Sequence, residues 1–62
     1  MNEYFIKLPN ANYYIKLLAD TEQEARRIIV SKMKNRDRLP NGTIVKTSLN
    51  PDDIFLPLPQ EQ

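Results

Sequence analysis

The sequence predicts a small α+β domain of ββαβ order. Three antiparallel strands carry one helix on one face, and an extended, proline-containing tail follows. Three observations lead there: two alternating segments flank a Pro-Asn turn, a capped amphipathic stretch follows them, and the last apolar run is broken by prolines. The 62 residues suffice for one domain, with a core over 1–49 and a turn and tail over 50–62.

Residues 3–8 read as the first strand, because Tyr4, Ile6 and Leu8 alternate with Glu3, Phe5 and Lys7. Pro9-Asn10-Ala11-Asn12 supplies a turn: proline presets φ, and asparagine tolerates left-handed geometry. Residues 13–19 repeat the alternation, with Tyr13, Ile15, Leu17 and Ala19 set against Tyr14, Lys16 and Leu18. Placing Leu8 opposite Tyr13 brings Ile6 to Ile15 and Tyr4 to Leu17. All six then lie on one face, because side chains repeat every second residue. The other face carries Phe5, Lys7, Tyr14, Lys16 and Leu18.

Thr21 is a suitable N-cap, and Glu24 three residues later completes a capping box. Ala25, Ile28, Ile29 and Met33 form the apolar stripe of a helix expected from residue 22 to 35 or 36. Glu22 and Glu24 suit its positive end, and Lys32, Lys34 and Arg36 its negative end. Leu39-Pro40-Asn41-Gly42 is a turn containing the chain's one glycine, and residues 43–48 form a third strand. A right-handed crossover sets that strand beside the first, antiparallel to it. Asn50-Pro51-Asp52-Asp53 suggests a short helical turn with Asn50 as its cap. Prolines 57 and 59 bar residues 54–59 from a helix or a central strand and leave them extended, packed on the domain or offered to a partner.

A chain this short buries only about 60% of its unfolded surface and commonly needs a staple. With no cysteine and no histidine, a disulfide, a thiolate site and an imidazole ligand are excluded, which leaves self-association or dense packing. Asn50, Asp52 and Asp53 have neither the ligand spacing nor the glycine of a calcium loop, so no metal or cofactor is expected. The start, Met1-Asn2-Glu3-Tyr4, has no basic, apolar leader, and no run approaches the roughly 20 apolar residues of a membrane span. A cytoplasmic protein without a membrane partner is the expectation.

Catalysis is not expected. The chain has no histidine or cysteine, no glycine-rich phosphate loop and no nucleophile elbow, and a domain of this size offers little room for a pocket above about 300 Å3. The leading reading is a protein-interaction module that uses Phe5, Tyr14 and Leu18 on the open sheet face and Phe55, Leu56 and Leu58 on the tail, with self-association through the same surface. Its size and composition suit an accessory or inhibitory protein of a virus or mobile element.

The alternative partner is nucleic acid. Phe5 and Tyr14 interleave with Lys7 and Lys16 as in a stacking platform, and residues 26–38 hold six bases against Asp37 alone, among them Arg27, Lys34, Arg36 and Arg38. Each surface also has a plainer reading. The tail or a second copy covers the sheet face, Glu22 and Glu24 pair the helix arginines, and a Pro-rich tail packs along a sheet edge.

Overall fold

The computed structural model describes residues 1–33 and 38–58. In chain order the elements are β1 (Asn2–Lys7), β2 (Tyr14–Ala19), α1 (Glu22–Ser31), β3 (Ile44–Lys46) and β4 (Phe55–Pro57). The fold is a small α+β domain with one helix and a four-stranded mixed sheet of order β3-β1-β2-β4.

The hairpin has the register set by its alternation. Tyr4 faces Leu17 and Ile6 faces Ile15 in an antiparallel pair that extends to Asn2 opposite Ala19. Its turn closes where the Ala11 N–H donates to the Leu8 carbonyl at 3.1 Å, with Pro9 at the position that favours its fixed φ. β3 lies antiparallel to β1, with Ile6 opposite Val45 and Phe5 opposite Lys46. It spans three residues, against the six of the expected 43–48.

The expected sheet of three antiparallel strands is corrected by the tail. Residues 55–57 form a fourth strand, parallel to β2 along its free edge, pairing Tyr14 with Phe55, Ile15 with Leu56 and Lys16 with Pro57. The Tyr14 N–H donates to the Ile54 carbonyl at 2.8 Å, and the Leu58 N–H to the Lys16 carbonyl at 3.0 Å. Backbone groups of a strand alternate sides, so residues 54, 56 and 58 bond inward while 55 and 57 face out. Pro57 therefore puts its missing N–H on the solvent side, the arrangement an edge strand tolerates. The proline that excludes a central strand leaves this position open.

α1 begins as its capping signal requires. Thr21 is extended (φ −139°, ψ 161°), and its side-chain oxygen accepts from the Glu24 N–H at 3.1 Å. The helix stops at Ser31, short of the expected 35 or 36. The N–H groups of Lys32 and Met33 close on the carbonyls of Ile29 and Val30, tightening the end into three-residue steps. The apolar stripe ends at Met33, and its next turn is Arg36, so a longer helix has no further face to bury. Lys34 and Arg36, expected at the helix end, lie outside the described residues.

The core lies between α1 and one sheet face. Tyr4, Ile6, Leu17 and Ala19 meet Ala25 and Ile29, with Leu8, Ile15, Ile28, Met33, Leu39, Val45 and Leu58 packed around them. Gly42 has φ +91° in the turn closed by Thr43 on Pro40, and a Cβ there would stand 3.3 Å from Pro9. The segment from Asn50 to Asp53 is a single turn and goes no further: the Asp53 N–H donates to the Asn50 carbonyl at 3.0 Å, and the Asp53 carboxylate accepts from the Asn50 N–H at 3.0 Å, as the third residue after a cap does. Ile54 is already bonded to Tyr14, so the chain extends where a helix would have continued.

Candidate functional site

The sheet face away from α1 is built by alternate residues of all four strands: Glu3, Phe5 and Lys7, then Tyr14, Lys16 and Leu18, Ile44 and Lys46, and finally Phe55 and Pro57. Among the described residues no helix covers it, yet Phe5 is only 8% exposed and Tyr14 only 6%. Phe55 meets Phe5 edge to face, with ring centroids 5.6 Å apart. The Lys16 ammonium stands 5.8 Å from the Phe55 ring and 2.9 Å from Glu3 Oε2. The Lys46 ammonium lies 5.1 Å from the Tyr14 ring and 3.5 Å from Asp53 Oδ2. Two lysine stems and one tail aromatic thus roof the face, with charged heads turned to carboxylates at the rim. Contact with Tyr14 holds the Lys46 ammonium above its ordinary value of 10.5; desolvation opposes this and the Asp53 carboxylate adds to it.

The six residues expected to meet a partner divide in two. Phe5 and Tyr14 are buried beneath the lysines, and Leu58 turns to the helix side and packs on the core. Leu18 (53% exposed), Phe55 (47%) and Leu56 (49%) remain accessible. Ile54, at 64%, and the exposed Ile44 belong to the same class and escaped the sequence reading. The available signal was the run Ile54-Phe55-Leu56: a strand points successive side chains to opposite faces, so an edge strand cannot shelter all three.

The basic residues also divide. Lys16 is paired with Glu3, and Lys7 is half-buried on the sheet face. Arg26 is held by Glu22 at 3.1 Å, whereas Arg27 and Arg38 are exposed and make no ion pair among the described residues. Arg26, Arg27, Val30 and Ser31 on the outer face of α1 join Arg38 and Leu39 around an open recess of about 490 Å3. The sequence suggests little room for a pocket above about 300 Å3; this recess exceeds that volume as an open surface depression. Leu39 makes the difference: it packs against the core and brings Arg38 back across the helix. Lys34 and Arg36 lie outside the described residues.

Among the described residues no cluster of three or more acidic side chains is placed to hold a metal ion, and no helix is long and apolar enough to cross a membrane. No protein-family model, no curated protein and no solved structure matches the chain. The class that the geometry defines is thus the structural one: a small α+β domain with a mixed four-stranded sheet, one helix and an apolar sheet edge.

Proposed function

We propose that the chain is a non-enzymatic protein-interaction module that meets its partner along β4 and the adjoining sheet face. The observation that carries this reading is the exposure of Phe55 and Leu56 on the two sides of edge strand β4 and of Ile54 just before it, with Leu18 also exposed on its neighbour β2. Large apolar side chains left together at a surface gain most when a partner removes them from water, at about 25 cal/mol per Å2 covered. Pro57 and the outward-facing backbone limit what the edge can add as a ladder, so side chains provide the recognition. Burial of Phe5 and Tyr14, and the pairing of Lys16 and Lys46, argue against a nucleic-acid platform on this face.

The test uses photo-cross-linkers placed singly at Leu18, Phe55 and Leu56, with exposed Ser48, just past β3 at the opposite sheet edge, as the control. One partner protein captured from these three positions and not from Ser48 supports the reading. Its purified form should then lose at least tenfold in affinity for Leu56→Asp, with the fold intact by circular dichroism. Capture from Ser48 alone, or binding indifferent to Leu56→Asp and Leu18→Asp, removes it. Sedimentation of the free chain, monomeric or dimeric, decides whether that partner is a second copy.

A further inference from the structure

We propose that the recess on the outer face of α1 binds an acidic peptide segment of a partner protein. Its carboxylates pair with Arg27 and Arg38, and an aliphatic side chain rests on Val30 and Leu39. The basic groups come first. Arg26 is engaged by Glu22, but Arg27 and Arg38 face the recess with no carboxylate partner among the described residues. A guanidinium presents a planar fork that a carboxylate fills with two parallel hydrogen bonds. The floor between them is aliphatic, so the site pairs charge at its rim with an apolar centre, the arrangement that excludes water around an ion pair.

The shape favours a chain over a compact solute. Arg38 and Leu39 form the wall shared with a second recess of about 560 Å3, which continues over Pro40 and Asn41. An extended peptide can run across both, with the Asn41 amide available to its backbone. Nucleic acid fits less well. Among the described residues no aromatic ring lines either recess, and sequence-tolerant binding of single strands relies on such rings for base stacking. The recess shares no residue with the β4 surface, so either reading can fail alone.

The experiment is an amide-resolved NMR titration of the whole chain, at low salt, with the end-blocked hexapeptide Glu-Leu-Glu-Asp-Leu-Glu. Shifts should gather on Arg27, Val30, Arg38 and Leu39. Arg27→Glu and Arg38→Glu should each weaken binding about tenfold or more, and both should stay folded because the side chains are exposed. Replacing the two leucines by serine should weaken binding several-fold. The proposal is overturned if the serine peptide binds equally well, if a six-nucleotide single strand binds the same residues more tightly, if the shifts fall on β4, or if none appear.

Discussion

The two faces of the sheet are covered in different ways, and the neighbours Phe5 and Ile6 show the contrast. Ile6 points into the helix side, is fully buried and belongs to the apolar core cluster. Phe5 points the other way, and its cover is one aromatic ring of an edge strand with lysine stems beside it. Both are buried, but one lid is a packed helix and the other is assembled from long, solvated side chains. A sheet face without a helix of its own among the described residues can still shelter two aromatics in this way, because a lysine carries four methylenes beneath its charge. The cost is a thinner lid, and Leu18, Ile44 and Phe55 stay accessible around it.

That contrast can be broken experimentally, beginning with the largest effect. Ile6→Ala leaves a cavity in the helix-covered core and should cost about 3 kcal/mol in urea unfolding. Total stability at this length is only roughly 3–9 kcal/mol, so the variant should stand near its unfolding threshold. Phe5→Ala removes more atoms yet should cost less, about 2 kcal/mol, because Phe55 and the lysine stems can settle into the space. If it costs as much as a fully enclosed phenylalanine, about 3–5 kcal/mol, the two lids are equally rigid and the contrast fails.

Phe55→Ala tests the tail's share of the lid. A loss of about 1 kcal/mol is expected, with faster hydrogen exchange at the Tyr14 and Leu58 amides, which bond across the two ends of the β2–β4 ladder. Unchanged exchange would mean that the backbone ladder alone holds β4. The smallest effect is electrostatic. The folded-state pKa of Lys46 is raised, so its favourable contribution is fully present below the unfolded value near 10.4 and is lost as pH rises through the folded value. Stability should therefore stay level through neutral pH and decline above about pH 10. Lys46→Met should reduce that decline, and an identical pH profile in the variant would remove Lys46 as its source.

Much of the helix-covered half was legible from local chemistry. The alternation in β1 and β2 named the residues facing α1, and the pairing of Tyr4 with Leu17 and Ile6 with Ile15 followed from the turn between them. Thr21 and Glu24 marked the helix start, and Asn41-Gly42 marked a turn that needs positive φ. The helix end was harder to read. Lys32 and Lys34 suit a longer helix as well as a loop, and the absence of a further apolar position, not a stop residue, is what ends it.

On the other face the sequence named the right residue types but not their use. Phe5 and Tyr14 pattern as exposed aromatics on an uncovered sheet, and only a roof drawn from β3, β4 and the 50–53 turn makes them core. Likewise Arg27 and Arg38 are two bases in a basic stretch until Leu39 anchors the return of the chain across α1.

The sequence by itself determined the hairpin register, the start of α1, the turn at Gly42 and the face on which α1 packs. Each is set locally, the hairpin register through its short turn and the others by near neighbours, where periodicity, capping and φ preference decide the conformation. Only the tertiary structure decided that 55–57 join β2 as a parallel edge strand, that Lys16 and Lys46 roof two aromatics, and that a recess opens beside Arg38. Those features pair groups some 10 to 40 positions apart, for which the chain carries no local signal; the free edge of β2 and the uncovered aromatics select them only once the hairpin and helix are in place.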